Sequence, residues 1–194
     1  SAGMEMCFVN LVEPGDKVIV CRNGVFGGRM LENVKRTGGV PVMVDDAWGA
    51  PVSPEKVREA FRANPDAKLL AFVHAETSTG AQSDAATLAK IAQEAGALTI
   101  MDAVTSLGRT PVHLDAWGID AAYSGSQKCL SCTPGLSPVS FSDQAIAKIK
   151  ARTTPVQSWF LDLNLVLGYW QSAGKRTYHH TAPINPMYGL HEAL

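Results

Sequence analysis

The chain has 194 residues, enough to bury one hydrophobic core, and its hydrophobic (46%) and charged (18%) fractions are typical of a globular α/β protein. Its formal net charge is −1 and no basic run is present, which argues against nucleic acid or an anionic membrane as the main partner. No apolar stretch has the length of a membrane-spanning helix, and the chain begins with Ser1, so its start says nothing about targeting.

Strand and helix patterns alternate along the chain up to about residue 150. Helices are predicted over 1–12, 26–37, 53–63, 84–95 and 143–152, and strands over 17–21, 40–44, 68–73, 97–101, 119–123 and 136–142. Such alternation is typical of a mostly parallel sheet that helices cover on both faces. The predicted fold class is therefore a three-layer α/β protein.

A lysine follows the predicted strand over 119–123. The residues between them, Ser124 to Gln127, are mostly small, which allows the backbone to turn sharply and leaves Lys128 at the strand exit. A lysine in that position can form a Schiff base with a carbonyl cofactor. The alternative is that Lys128 is an ordinary surface lysine.

An aspartate, Asp102, ends the apolar run 97–101, which is typical of a buried parallel strand. The carboxyl ends of such strands line the crevice in which open α/β sheets bind ligands. Pyridoxal phosphate needs a lysine for its imine and an anion opposite its pyridinium nitrogen, and Lys128 and Asp102 together offer both. The alternative is that Asp102 only caps a turn or helix.

Motifs along nearly the whole chain resemble those of the class V, fold-type I aminotransferases, and within them the alanine/serine–glyoxylate aminotransferase group. They occur in the order and at the spacing of that family, which makes the resemblance much more specific than any one of them. The matching segments are Asn-Gly-Val-Phe-Gly at 23–27, His-Ala-Glu-Thr-Ser-Thr-Gly at 74–80, Asp-Ala-Val-Thr-Ser-Leu-Gly at 102–108, Tyr-Ser-Gly-Ser-Gln-Lys at 123–128 and Tyr-His-His-Thr at 178–181.

The resemblance implies that residues 1–194 form the large, cofactor-binding domain of a fold-type I pyridoxal-phosphate transferase. Ser1 and Ala2 match only the end of the family's phosphate-binding turn. The chain is therefore expected to be a fragment that lacks an N-terminal segment and the C-terminal small domain. The segment 153–194 is expected to form a subunit interface and to reach a phosphate.

The resemblance also assigns residues to pyridoxal 5'-phosphate. Phe26 stands where the family has an aromatic, often tryptophan, that stacks on the pyridine ring, and Val104 packs on the opposite face. A core phenylalanine is the alternative for Phe26, and turn capping is the alternative for Thr77, which otherwise lies near the phenolic oxygen. The catalytic residues are Lys128 and Asp102, and the cofactor-binding residues are Ser1, Ala2, Phe26, Thr77, Asp102, Val104, Gln127, Lys128, Tyr178 and Thr181.

A homodimer is implied as well, because Tyr178 and Thr181 match residues that bind the phosphate of the partner subunit's cofactor. Aromatic and aliphatic residues are dense between 153 and 170, which predicts a helix that is buried on several sides. That helix suits a subunit interface, and a helix of the core is an equal alternative.

The implied activity is a ping-pong transfer of an amino group, through a Lys128 Schiff base, from alanine, serine or aspartate to glyoxylate or a similar small 2-oxo acid. The family's arginine for the substrate carboxylate has no counterpart here. Arg109 and Arg176 are available, but neither lies in the matching motif.

Two patterns that suggest metal or redox chemistry are weak. Cys129 and Cys132 form a C-x-x-C without a second ligand pair. Adjacent histidines, His179 and His180, point to opposite faces of an extended chain and rarely bind one ion. No metal site is predicted.

Rival functions remain at this point. One is another class V enzyme, a lyase or desulfurase with the same lysine and aspartate, although a desulfurase needs a mobile cysteine. Another is a truncated, non-catalytic dimerisation domain. The default location is the cytoplasm, and a peroxisomal signal beyond Leu194 stays open.

Overall fold

The structure is a computed structural model that describes residues 1–171 and 177–194. Its helices are α1 (Ala2–Leu11), α2 (Val25–Arg36), α3 (Pro54–Ala63), α4 (Ala85–Glu94), α5 (Leu114–Trp117), α6 (Asp143–Lys150), α7 (Leu163–Trp170) and α8 (Ile184–Ala193). Its strands are β1 (Lys17–Arg22), β2 (Val40–Asp45), β3 (Leu69–Val73), β4 (Ala75–Glu76), β5 (Ala81–Gln82), β6 (Leu98–Asp102), β7 (Ala121–Tyr123) and β8 (Val139–Phe141).

A six-stranded sheet in the order β2-β1-β3-β6-β7-β8 forms the centre of the molecule. All neighbours pair in parallel except β8, which runs antiparallel to β7 at the edge. The carboxyl ends of β1, β3, β6 and β7 therefore meet at one edge. Every matching motif from residue 23 to residue 128 begins at or just after one of these ends.

Helices cover both faces of the sheet, because successive strand residues point to opposite sides. In β3, Leu69, Ala71 and Val73 face the core shared with α1, α2, α6 and α7. Leu70 and Phe72 face the second core, shared with α3, α4 and α5. The predicted three-layer, mostly parallel fold is confirmed.

Two local expectations differ from the structure. The loop after β3 contains a short antiparallel pair, β4 with β5. The helix predicted within 153–170 begins only at Leu163, and of its residues only Leu163 and Val166 are buried. Within this chain the helix is thus buried on one side only, and burial of its other sides against a second subunit stays a prediction.

Long-range contacts explain where α7 begins. Asn10 of α1 donates to the carbonyl of Leu161 at 2.7 Å, and its Oδ1 accepts the backbone N–H of Leu163 at 2.9 Å. Asp162 caps the helix by accepting from Asn164. The residues before Asp162 are thereby held outside any helix, and Trp159 and Phe160 stay exposed.

No helix among the described residues combines the length and apolar character needed to cross a bilayer.

Candidate active site

Asp102 is a buried carboxyl group at the carboxyl edge of the sheet, with a relative exposure of 3%. Its Oδ1 accepts the backbone N–H of Val104 and its Oδ2 accepts the hydroxyl of Tyr123, both at 2.8 Å. Burial, with a smaller contribution from the nearby charge of Glu76, raises the pKa of Asp102 to about 6, and the two hydrogen bonds act in the opposite direction. The carboxylate is thus oriented by the protein and costly to leave unpaired.

Lys128 lies in the turn that follows β7, the strand next to Asp102, and it is exposed. The turn is tied to the segment after Asp102 at two points. Ser124 Oγ donates to the Ala103 carbonyl at 3.3 Å, and Cys129 Sγ donates to the Thr105 carbonyl at 3.4 Å. Among the residues that the structure describes, the amine has no ion-pair partner.

Gln127 and Val104 approach the same glycine. A Cβ at Gly125 would lie 3.1 Å from Oε1 of Gln127 and 3.9 Å from Cγ1 of Val104. The exposed Gln127 side chain thus folds back over Gly125. A side chain at position 125 would crowd Gln127, whereas its contact with Val104 would be an ordinary one.

Thr77, also exposed, reaches the same edge from the strand on the other side of Asp102. Its hydroxyl donates to Oγ1 of Thr105 at 3.2 Å, and Thr105 donates to the Ala75 carbonyl at 2.6 Å. These bonds join the loop after β3 to the loop after β6. Thr77 is therefore held by a neighbouring side chain rather than used as a turn cap.

Phe26 lies in the first turn of α2, partly buried against the core below the sheet edge. Glu76, only 1% exposed, accepts the backbone N–H of Phe26 at 3.2 Å through Oε2, while its Oε1 accepts the N–H and hydroxyl of Ser78. The Arg29 guanidinium lies 4.7 Å from the Phe26 ring centroid. The backbone of Phe26 is thus held by the loop after β3, and its ring packs on the core, which fits the alternative of a core phenylalanine.

Ser1 and Ala2 lie exposed at the start of α1, whose first turn packs on the end of β7. The N–H of Gly3 donates to Ser137 Oγ at 3.1 Å, and a Cβ at Gly3 would lie 3.1 Å from Cβ of Tyr123. The amino end of α1 is therefore directed at the same edge as Asp102. Amino ends of helices favour anions such as phosphate.

Tyr178 and Thr181 contact each other, at 2.6 Å between their oxygens, and both are exposed. They precede α8, which lies against the loop after Lys128, where a Cβ at Gly189 would lie 3.4 Å from Cys132 Sγ. The described contacts within this chain do not bring Tyr178 and Thr181 to Asp102.

The residues 2–194 match the profile of the family described as Aminotransferase class-V. This chain belongs to the class V aminotransferases. A curated relative is the alanine–glyoxylate aminotransferase of Oryctolagus cuniculus, 39% identical over 98% of this chain and 49% of that protein. Another is the (S)-ureidoglycine–glyoxylate transaminase of Bacillus subtilis, 32% identical over 100% of this chain and 50% of that protein.

A solved structure agrees. The alanine–glyoxylate aminotransferase from Nostoc sp. superimposes with a TM-score of 0.94 at 46% identity, covering 99% of this chain and 50% of that one. This chain spans about half the length of the curated relatives it matches.

Class V aminotransferases depend on pyridoxal 5'-phosphate, and the groups at this sheet edge suit that cofactor. A buried carboxylate with two donors fixed on its oxygens matches a pyridinium nitrogen, and an amine on the adjacent strand exit matches a carbonyl. A cavity of about 520 Å³ lies elsewhere, at the amino ends of β6 and β7, where Asp120 and Asp143 line it. Its lining includes buried Asp120 but no lysine that could hold a carbonyl.

Tyr123 and Glu76 are buried members of the sequence motifs that the resemblance does not assign to the cofactor, and both contact the site. Each was visible as a motif member, but only the register of β6 with β7 shows that Tyr123 stands opposite Asp102. The contact of Glu76 with the start of α2 is likewise visible only in the tertiary structure.

The remaining candidates from the sequence do not contact Asp102 in the described residues. Arg109 is exposed in the loop after β6, and Arg176 lies outside the described residues. The nitrogens Nδ1 of His179 and His180 are 2.8 Å apart, so the expectation that the two rings point to opposite faces is wrong. Within the described ranges, no group of three or more potential metal-ligating residues forms.

Proposed function

We propose that the natural protein is a pyridoxal-phosphate-dependent aminotransferase that moves an amino group from alanine, serine or aspartate to glyoxylate or a similar small 2-oxo acid. The observation that carries the proposal is the buried, doubly hydrogen-bonded Asp102 beside the strand exit that bears Lys128. The names of the relatives, which include glyoxylate, support the acceptor.

Each residue has a stated task in this proposal. Lys128 holds the carbonyl carbon of the cofactor and later, as general base, moves the proton at the substrate's Cα. Asp102 keeps a proton at the ring nitrogen. When bound, pyridoxal phosphate supplies an electron sink for the charge left on Cα.

The remaining groups bind and orient. Phe26 and Val104 flank the ring, and Thr77 lies near its phenolic oxygen. Gln127 and the start of α1, at Ser1 and Ala2, bind the phosphate, because backbone N–H groups and the helix dipole favour an anion there. The amino donor leaves as a 2-oxo acid before the acceptor enters the same site.

The first experiment is an absorption spectrum of the full-length natural protein, before and after addition of L-alanine. We expect a visible band that alanine abolishes, and we expect Lys128→Ala to lack this band. Lys90→Ala, which removes an exposed lysine from α4, is the matched control and should keep it. A protein that stays colourless with added pyridoxal phosphate refutes the enzyme proposal and leaves the dimerisation domain.

The proposal includes a homodimer in which Tyr178 and Thr181 bind the partner's cofactor phosphate. Its support is that both are exposed and that large apolar side chains nearby are exposed too, namely Trp159, Phe160, Trp170, Tyr188 and Met187. Such a surface favours burial against another protein.

Mixing of subunits tests this arrangement. Lys128→Ala and Tyr178→Ala each damage every site of their own homodimer. In a mixed dimer, however, a contact between subunits places both lesions in one site and leaves the other intact. We therefore expect activity to return on mixing. No return of activity, with mixed dimers demonstrated by tagged subunits, contradicts a phosphate contact between subunits.

A further inference from the structure

The hydroxyl of Tyr123 has one hydrogen-bond partner among the described residues, Oδ2 of Asp102 at 2.8 Å. Tyr123 ends β7 directly opposite Asp102 in the register of the parallel pair. It is 2% exposed, and its ring belongs to the core that includes Cys7 and Met4 of α1.

A phenylalanine would satisfy the packing at this position equally well. A buried hydroxyl is costly unless it is hydrogen-bonded, and Asp102 is what satisfies this one. The side chain is packed within the core, and the first turn of α1 lies against its base, since a Cβ at Gly3 would lie 3.1 Å from Cβ of Tyr123. The hydroxyl is therefore held in place and directed at the carboxylate.

Asp102 has no other side-chain donor in the described part of the chain. Its second hydrogen bond comes from the backbone of Val104. Of the charged groups that act on it, Glu76 raises the pKa of Asp102 and the amino group of Ser1 lowers it, each by less than the hydrogen bond from Tyr123 does. Tyr123 is thus the side chain that opposes burial, which by itself disfavours the charged carboxylate.

We propose that Tyr123 is a positioning residue that acts through Asp102: its hydroxyl keeps the carboxylate anionic and oriented, so that it can pair with the protonated ring nitrogen of the cofactor. This inference rests on the proposed function, because it assumes that pyridoxal phosphate binds at Asp102. The hydrogen bond to Asp102 lowers the pKa of that carboxyl, in the direction that the proposal requires.

The test compares two ligands of the cofactor-free, full-length protein. One is pyridoxal phosphate, and the other is its 1-deaza analogue, in which C–H replaces the ring nitrogen. For Tyr123→Phe at neutral pH, we expect the affinity for pyridoxal phosphate to fall about tenfold, the usual size of one hydrogen bond to a charge. The affinity for the deaza analogue should not fall, because that ligand does not need an anionic Asp102.

Thr37→Val is the control, since it removes a buried hydroxyl that donates to carbonyls at the end of α2, and it should change neither affinity. Nitrogen-15 NMR of labelled pyridoxal phosphate gives a second readout. The ring nitrogen should be protonated in the wild type and lose part of that proton in Tyr123→Phe. A residue with a merely structural role would not move this signal.

The outcomes separate the two proposals. A wild type that binds no pyridoxal phosphate refutes the proposed function. If the wild type binds pyridoxal phosphate but Tyr123→Phe loses affinity for both ligands equally, or for neither, only the role of Tyr123 is overturned. If Tyr123→Phe does not fold, 3,5-difluorotyrosine at position 123 keeps the shape and makes the hydroxyl a stronger donor. The preference for pyridoxal phosphate over the deaza analogue should then rise, and an unchanged preference overturns the inference.

Discussion

The buried charge of Asp102 should make the cofactor-free protein less stable as pH rises, and Asp102→Asn isolates that effect. Burial raises the pKa of Asp102 to about 6, whereas an aspartate in an unfolded chain titrates near about 3.9. The folded state therefore holds the proton more tightly than the unfolded state. The stabilisation from Asp102 is complete below about pH 4 and is lost as pH rises through about 6.

The size of the effect follows from the distance between the two pKa values. About two pH units, at about 1.4 kcal/mol for each, correspond to roughly 3 kcal/mol. Asparagine does not titrate in this range. The free energy of unfolding of the wild type should thus fall relative to that of Asp102→Asn by roughly 3 kcal/mol between about pH 4 and about pH 7.

Urea unfolding of the cofactor-free, full-length protein at several pH values measures this difference. Asp84→Asn is the control with the opposite sign, because hydrogen bonds from Thr87 lower the pKa of Asp84. The stabilisation that ionised Asp84 contributes is present above about pH 4 and is lost as pH falls. A difference between wild type and Asp102→Asn that stays flat, or that rises with pH, refutes the argument from burial.

Two further predictions concern the start of α2. Glu76→Gln removes a buried charge whose oxygens accept three donors, including the N–H of Phe26, and should lower the free energy of unfolding by about 1–3 kcal/mol, as measured by urea unfolding. Gly27→Ala should also lower the free energy of unfolding, because its Cβ would lie 2.6 Å from the Cys21 carbonyl oxygen. Gly28→Ala meets nothing within 4 Å and should stabilise α2 by up to about 1 kcal/mol.

Each of these variants has a control in the same chain. Glu59→Gln, on the exposed side of α3, should leave stability within about 0.5 kcal/mol of wild type. A loss as large as that of Glu76→Gln would show that the lost charge, rather than the local hydrogen bonds, is responsible. Equal effects of the two glycine variants would contradict the close approach of Gly27 to β1.

Local sequence patterns predicted the alternation of strands and helices and the ends of most elements. They succeeded because apolar runs such as 97–101 and turn residues such as Gly38 and Gly39 act over a few neighbouring residues. They did not predict that the helix within 153–170 begins only at Leu163. There the outcome depends on Asn10, more than 140 residues away, which binds the backbone on both sides of Asp162.

The candidate site, too, was predicted from the sequence only in part. The sequence by itself determined which residue types stand at the strand ends, Asp102 and Lys128 above all, because the motifs are local and lie in a recognisable order. Only the tertiary structure decided what holds them. Tyr123 meets Asp102 through the register of two parallel strands, and Glu76 meets Phe26 through the packing of a loop on a helix. Such contacts join residues that are 21 and 50 positions apart, and hydrophobic periodicity within one element carries no information about them.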